Sequence, residues 1–292
     1  MTLGKQLLFP QQLDKIQTIN QFTLEQELAP YSVDGYNYAK DHDNKIHSDD
    51  VAAQYGFKGG LVPGVGVYAY LTYPVVEALG REWLQRGAMT AKFLKPIYHG
   101  EEVITRTTVT KLDPLTFSVE LCDTAGELRA HGEASLPHTT AEIFTAKFPQ
   151  RPLPSQRLAP TIASLPVGTG LGSLAWRSGW TELEENFLFN MRATLPIFFG
   201  QEPICHPAFY LAQANELLMA NVQLGPWIHT SSDVQHYSMP RDGERVSLRG
   251  QVAAAFEKRG HEIVTLDLGL FAEEPRPIAH IRHTAIVRLR EA

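Results

Sequence analysis

Two stretches of this 292-residue chain share the same internal spacing. Apolar, helix-like runs begin at Gly64 and at Pro207, and each is followed 36 residues later by a Gly-Glu pair that opens a strand-like region, at Gly100 and at Gly243. Helix start and strand start are therefore shifted by the same 143 residues. A shared offset of two different elements predicts duplication of one structural unit. The alternative is coincidence, since both anchors are short.

Each unit is predicted to contain a helix followed by antiparallel strands. The run from Gly64 to Leu79 has apolar residues at helical spacing, although Pro74 in its middle should kink the helix or end its first segment. Beyond Phe93 the pattern changes to a period of two. From Leu115 to Leu121 every second residue is apolar, which is typical of a half-buried antiparallel strand.

A proline-rich segment separates the two halves. Six prolines between residues 137 and 166 oppose both a helix and a central strand, so this segment is predicted to be a linker. The expected organisation is an N-terminal unit over residues 1–137, a linker over 138–166 and a C-terminal unit over 167–292.

Composition and charge limit the classes of partner. The net charge is −6 and no concentrated Lys/Arg run occurs, which argues against nucleic acid. No apolar run approaches the roughly 18 residues of a membrane span, and no secretory signal is recognisable. Cys122 and Cys205 lie in different halves, which fits reduced thiols. We therefore expect a soluble, cytoplasmic protein with no nucleic-acid or membrane partner; whether it forms a homodimer stays open.

The stretch from residue 41 to residue 66 carries the densest polar chemistry in the chain. Its candidate functional side chains are Asp41, His42, Asp43, Asn44 and His47. A glycine-rich turn and the first apolar helix follow them, and polar groups at the mouth of a buried helix are typical of a small-molecule site. The alternative is that the Asp and Asn residues only cap a short helix or lie solvated in a loop.

Other chemistries find less support in the sequence. Asp41, His42, Asp43 and His47 are residue types that bind metals, but no partner motif such as H-E-x-x-H accompanies them. Neither G-x-S-x-G nor G-x-G-x-x-G occurs, which argues against a serine-hydrolase elbow and a dinucleotide site. The remaining histidines are scattered along the chain, and no functional role is predicted for them.

Several motifs of the first half carry a resemblance to a known family. They are N-K-I-H-S-D at 44–49, A-A-Q-Y-G-F at 52–57, L-V-P-G at 61–64 and F-L-K-P-I-Y-H-G-E at 93–101. In this order and spacing they resemble the MaoC-like (R)-specific enoyl-CoA hydratase/dehydratase family. The resemblance implies the hotdog fold, in which a curved antiparallel sheet wraps one long central helix. An α+β double hotdog is therefore expected, with the second unit a degenerate copy.

The catalytic motif of that family is matched only in part. The family pattern is D-x-N-x-x-H, and Asn44 and His47 fit its second and third positions. The family's Asp is replaced by His42, and Asp41 and Asp43 each lie one residue out of register. Before the central helix, the family's His-Gly is Pro-Gly in this chain.

The resemblance implies the roles of the candidate catalytic residues. His47 would act on water together with Asp43 and Asn44 if the loop bulges by one residue, and the Gly64 amide would hold the thioester oxygen. His42 would replace the Asp as a proton shuttle or mark the loss of hydration. An imidazole suits proton transfer near neutral pH, and the free N–H groups at a helix N-terminus suit a developing oxyanion.

A second set of residues is expected to contact the substrate. It consists of Asp41, Pro63, Val65, Gly66, Lys92 and Lys95. The two lysines are candidates for contacts with CoA phosphates, the alternative being ordinary solvated side chains. The offset of 143 places Asn190 opposite His47 and Asn186 opposite Asp43, so no acid/base pair is expected in the second unit.

The function expected from the resemblance is hydration or dehydration of an acyl thioester, with an enoyl and a 3-hydroxyacyl form as the two partners. The carrier would be CoA or an acyl carrier protein, with no cofactor beyond the CoA or phosphopantetheine of the substrate. Two alternatives stay open. One is thioester hydrolysis on the same fold, and the other is acyl-thioester binding without catalysis, which the replacement by His42 favours.

Overall fold

One antiparallel sheet of ten strands organises the described part of the chain. The computed structural model describes residues 21–178, 183–199, 204–241, 243–273 and 276–290. In chain order the strands are β1 (Tyr31–Asp34), β2 (Ala88–Phe93), β3 (Glu102–Leu112), β4 (Leu115–Asp123), β5 (Leu128–Leu136), β6 (Gly170–Arg177), β7 (Ile228–His236), β8 (Arg245–Lys258), β9 (His261–Ala272) and β10 (Pro277–Arg288).

The strand order is symmetric about the middle of the sheet. The strands lie in the order β1-β3-β4-β5-β2-β7-β10-β9-β8-β6. Counting outward from the central pair, the first half runs β2, β5, β4, β3, β1 and the second half runs β7, β10, β9, β8, β6. β3 and β8 begin 143 residues apart, at Glu102 and Arg245. This arrangement is what duplication of one unit predicts.

The central pair joins the halves through backbone hydrogen bonds. β2 and β7 are antiparallel and are in register from Ala88 opposite Gln235 to Lys92 opposite Ser231. Because an antiparallel pair exchanges N–H and C=O groups along its length, the two halves form one continuous sheet. Any group at the end of β2 or the start of β7 therefore lies at the junction of the halves.

The described helices are short except for the one that fills the first half. They are α1 (Asp49–Gln54), α2 (Gly64–Arg86), α3 (Leu183–Asn190) and α4 (Ala208–Asn221), with single 3-10 turns at Lys45–His47, Thr145–Lys147 and Pro196–Phe198. α2 contacts β2, β3 and β5 of its own half and β7 and α4 of the other. Being enclosed on so many sides, it is apolar nearly all round rather than amphipathic.

The helix α2 is longer than the sequence predicted and bends elsewhere. It continues through Pro74 to Arg86, and its non-helical residue is Gly80, with φ 53° and ψ −134°. A proline cannot donate a hydrogen bond to the carbonyl four residues earlier, here that of Tyr70. The Thr105 hydroxyl of β3 donates to that carbonyl instead, at 3.0 Å. The sheet thus satisfies the carbonyl that the proline leaves free, and the helix continues.

Other sequence-based expectations agree with the structure. The alternating face of β4 is buried, because Leu115, Phe117, Val119 and Leu121 are each at most 1% exposed. The second predicted helix is α4, which begins just after Pro207. Between β5 and β6 the only regular element is the 3-10 turn Thr145–Lys147. The domain boundaries drawn at that segment stay a prediction.

Replacing Thr105 tests whether its hydroxyl compensates for the hydrogen bond that Pro74 cannot donate. Thr105→Val should lower the free energy of unfolding by about 1–3 kcal/mol, because the buried Tyr70 carbonyl loses its donor. Thr107→Val on the same strand is the matched control, since the buried Thr107 hydroxyl has no partner in the described residues. That variant should be neutral or stabilising. Urea unfolding measures both.

A double-mutant cycle sharpens this test. In a Pro74→Ala background an N–H is again available for the Tyr70 carbonyl, so Thr105→Val should cost markedly less than in the wild type. Equal costs in the two backgrounds would show that the hydroxyl does not compensate for the proline.

Candidate active site

A partly open cavity of about 250 Å³ lies at the junction of the two halves. The first half contributes the 3-10 turn with Asn44 and His47, the start of α2 at Pro63 and Gly64, and the end of β2 at Phe93. The second half contributes Asn215 of α4 and the start of β7, including His229. Most of the remaining lining is apolar.

Local hydrogen bonds hold the turn that presents His47. The Asn44 side chain accepts from the Ile46 N–H at 3.4 Å and so caps the 3-10 turn Lys45–His47. The His47 carbonyl accepts from Asn37 Nδ2 at 2.8 Å. Gly60 passes directly over that carbonyl, because a Cβ at Gly60 would lie 1.9 Å from the His47 oxygen. Only a glycine allows this close approach.

The imidazole of His47 has a defined orientation. Its Nδ1 lies 2.7 Å from the Leu61 carbonyl, which can only accept, so Nδ1 carries the hydrogen and donates it. Nε2 is then an unprotonated acceptor. The nearest protein donor to Nε2 is Asn44 Nδ2, at the long distance of 3.4 Å. A water or substrate hydroxyl can therefore compete for the Nε2 lone pair.

Burial keeps His47 neutral. Desolvation lowers its pKa from 6.5 to about 4, the nearby His42 adds to this shift, and the hydrogen bond to the Leu61 carbonyl opposes it. At neutral pH the ring is therefore present in its base form. Its side chain is half-buried and borders the cavity.

Asn44 also connects the turn that carries His47 to the second half. Its Oδ1 accepts from the Trp227 N–H at 3.2 Å, and its Nδ2 donates to the Trp227 carbonyl at 3.0 Å. Asn44 is 5% exposed and Trp227 3% exposed. This paired hydrogen bond fixes the turn against the residue that precedes β7.

The N-terminus of α2 offers free donors to the same cavity. Pro63 is its N-cap and provides no side-chain hydrogen bond. The Gly66 and Val67 N–H groups bond to the Pro63 carbonyl, whereas those of Gly64 and Val65 have no partner in the described residues. The partial positive charge of a helix N-terminus adds to these N–H groups. The arrangement suits a carbonyl oxygen or an oxyanion.

The acidic part of the predicted site lies outside the cavity. Asp41, His42 and Asp43 are exposed and do not border it. His42 Nε2 instead lies 4.0 Å from Glu216 on α4. The loop therefore does not bulge in the way that would bring Asp43 beside His47. Within the described ranges, no group of three or more His, Cys, Asp or Glu side chains is arranged to hold a metal ion.

The predicted substrate contacts divide in a similar way. Pro63 borders the cavity, whereas the buried Val65 and Gly66 do not. Lys92 is exposed on β2 and lies outside the lining. Lys95 is at the cavity but forms an ion pair with Glu127.

Asn215 and His229 are among the cavity residues that the sequence analysis missed. Asn215 is the one polar residue on the otherwise apolar face of its helix, and its Oδ1 is buried with no partner in the described chain. That polar exception was a signal in the sequence. His229 was treated as one of the scattered histidines, yet it borders the cavity and is 6% exposed. No local pattern marks it.

The corresponding place in the second half is filled. His206 precedes α4 and is 6% exposed, with the rings of Phe198 and Phe187 at 4.5 Å and 6.2 Å. Burial lowers the His206 pKa to about 3. Asn186 is exposed and Asn190 is half-buried. Neither provides an acid or a base.

The structure is similar to solved proteins over almost its whole length. A protein described as a MaoC domain dehydratase from Chloroflexus aurantiacus has a TM-score of 0.67 at 11% identity, over 93% of this chain and 97% of its own. A Mycobacterium tuberculosis protein described as a double hotdog has a TM-score of 0.62 at 14% identity, over 92% and 97%. A protein described as an oleoyl thioesterase from Lactobacillus plantarum has a TM-score of 0.51 at 11% identity, over 91% and 98%.

These likenesses show the fold, which is the double hotdog. They confirm that the resemblance noted in the sequence extends to the structures of MaoC-like dehydratases. No family model matches the sequence, and no curated protein matches it either. None of the described helices has both the length and the apolar character needed to cross a membrane.

The lowered pKa of His47 predicts a pH-dependent stability. Between the unfolded pKa of 6.5 and the folded pKa of about 4, the unfolded chain binds a proton that the folded chain does not. Stability should therefore fall as the pH falls through this window. The contribution of His47 between pH 7 and pH 5 is up to about 2 kcal/mol.

His47→Gln isolates this contribution, because every other titrating group is common to both proteins. Urea unfolding at pH 7 and pH 5 should show a smaller loss in the variant than in the wild type. The same loss in both would contradict a buried, neutral His47.

Proposed function

We propose that this protein binds an acyl thioester in the cavity and catalyses its reversible hydration and dehydration. One observation carries the proposal. His47, with its unprotonated Nε2, and Gly64, with its free N–H at the start of α2, border the same largely apolar cavity. Such a pairing of a base with oxyanion donors is what the reaction requires. CoA or an acyl carrier protein as the carrier, and a cytoplasmic location, belong to the same proposal.

In the hydration direction the thioester oxygen would accept from the Gly64 N–H group. A water would donate to His47 Nε2 and accept from Asn44 Nδ2. As the water oxygen bonds to the β carbon, its proton passes to Nε2 and the double-bond electrons move toward the thioester oxygen. The resulting enolate takes a proton at the α carbon from the His47 imidazolium, which restores the neutral ring. Dehydration is the reverse.

A single imidazole then performs both proton transfers. The related motif uses a carboxylate as well, but in the described residues no Asp or Glu borders this cavity. Thioester hydrolysis by a carboxylate-activated water is therefore the less favoured use of the site. Acyl-thioester binding without turnover is the second candidate, and the absence of a lining carboxylate from the described chain is what favours it.

The second unit has a structural role in this proposal. Trp227, Ile228, His229 and Thr230 border the cavity, and the position that corresponds to the active site is filled by aromatic rings. We therefore infer that residues 167–292 complete the sheet and form one wall of the acyl site.

Crotonyl-CoA tests the proposal directly. The enoyl absorbance should fall without release of free thiol. His47→Gln should lower kcat/KM by about 10²–10⁴-fold, the range typical of a lost general acid–base group. His131→Gln is the matched control, since the His131 ring on β5 lies outside the cavity, and it should change the rate less than about twofold.

Each other outcome selects a different function. Thiol release would identify a thioesterase. If neither the enoyl absorbance nor the free thiol changes and butyryl-CoA still binds, the protein binds acyl thioesters without turnover. Full activity of His47→Gln would remove the mechanism proposed here.

A further inference from the structure

A buried polar chain from the second half reaches the cavity. It consists of His229 and Ser232 on β7 and His283 on β10, which are 6%, 1% and 0% exposed. Ser232 Oγ lies 2.8 Å from His229 Nε2 and 3.2 Å from His283 Nδ1. The two rings are also stacked obliquely, with centroids 4.1 Å apart and planes at 31°. His283 lies 51 residues after Ser232, so no local sequence pattern groups the three residues.

The end of this chain nearest the cavity is His229 Nδ1, which lies against the first turn of α2. A Cβ placed on Gly64 would lie 2.9 Å from Nδ1, so only a glycine leaves room for the ring there. On the other side the ring contacts Phe93, with centroids 4.8 Å apart. Nδ1 itself has no partner in the part of the chain that the structure describes. An unpartnered buried nitrogen therefore faces the helix end whose N–H groups are free.

The shared hydroxyl decides which nitrogens carry hydrogen. Both rings are neutral. Burial and the neighbouring His283 lower the pKa of His229 well below its ordinary value, against an opposing contribution from the Ser231 backbone, and burial lowers the pKa of His283 to about 3. Ser232 has one hydrogen, so its hydroxyl donates to one ring and accepts from the other. The 2.8 Å contact to His229 Nε2 is the length usual for an O–H donor, and the 3.2 Å contact to His283 suits an N–H donor.

The position of the cavity favours the same assignment. If the hydroxyl donated to His283 instead, the hydrogen of that ring would sit on its Nε2, which is fully buried and has no partner in the described residues. Either assignment leaves one buried N–H without a partner in the described residues, on His283 Nε2 or on His229 Nδ1. The favoured arrangement has the Ser232 hydroxyl donating to His229 Nε2, which places the His229 hydrogen on Nδ1. Of the two histidines only His229 borders the cavity, so only there could a bound ligand supply the missing acceptor.

We propose that the His229 Nδ1–H is a second donor for the carbonyl oxygen of the bound thioester, beside the Gly64 N–H. Ser232 and His283 act as positioning residues that fix the hydrogen on Nδ1. The inference rests on the proposed acyl-thioester site but not on turnover. Donors from two directions would hold the oxygen in one place, which a helix end alone does not do.

Two unreactive ligands separate carbonyl recognition from catalysis. Butyryl-CoA has the thioester carbonyl, and the thioether S-butyl-CoA lacks it. Wild-type protein should bind butyryl-CoA more tightly by calorimetry, and His229→Phe should reduce that preference by about tenfold, the value of one buried hydrogen bond. His236→Phe is the matched control on the same strand, since the His236 ring is buried, lies outside the cavity lining and has no described partner at either nitrogen. It should keep the full preference.

The inference would be overturned if His229→Phe kept the full preference for butyryl-CoA. It would also be overturned if the wild type bound the two ligands equally, or bound neither. Carbonyl-dependent binding that His229→Phe removes, in a protein without hydration activity, would support the inference while refuting the proposed function.

Nitrogen-15 NMR of wild-type protein gives an independent readout if a variant does not fold. The hydrogen of His229 is expected on Nδ1, and Ser232→Ala should shift it toward Nε2. A wild-type ring with its hydrogen on Nε2 would overturn the assignment.

Discussion

The paired hydrogen bond between Asn44 and the backbone of Trp227 is the interaction on which the site depends. It fixes the turn that carries His47 to the chain just before β7, and β7 continues the sheet from β2. The first half supplies the base and the helix end, whereas the second half supplies the opposite wall. The cavity exists only because these parts are held in one register. Duplication of the unit thus provides a site that a single unit does not enclose.

Buried neutral imidazoles recur around this junction, and their surroundings separate their roles. His47 and His229 each have one ring nitrogen bound within the protein and the other at the cavity wall or helix end. His206 and His236 are as deeply buried, but aromatic rings surround them. All of these rings resist protonation because charge is costly without water. What distinguishes a candidate functional histidine here is therefore its place at the cavity, not the lowered pKa.

The sequence predicted those features that depend on local pattern. The buried face of β4 followed from alternation, and Asn44 and His47 followed from a short motif. Features that depend on distant partners were not accessible. Pro74 is tolerated because Thr105, on another element, satisfies the Tyr70 carbonyl. His229 gains its environment from Gly64 and His283, which are far away in the chain. The prediction that Asp43 lies beside His47 required the loop to bulge by one residue, and in the structure Asp43 is exposed outside the cavity.

In the proposed complex the thioester oxygen lies at the start of α2 and the carbon–carbon double bond lies beside the His47 imidazole. A crystal structure of the protein with butyryl-CoA, the saturated and unreactive analogue, tests this most directly. The account predicts the thioester oxygen within hydrogen-bonding distance of the Gly64 N–H and the β carbon facing His47 Nε2. An acyl chain bound elsewhere, or one whose carbonyl points away from Gly64, would contradict it.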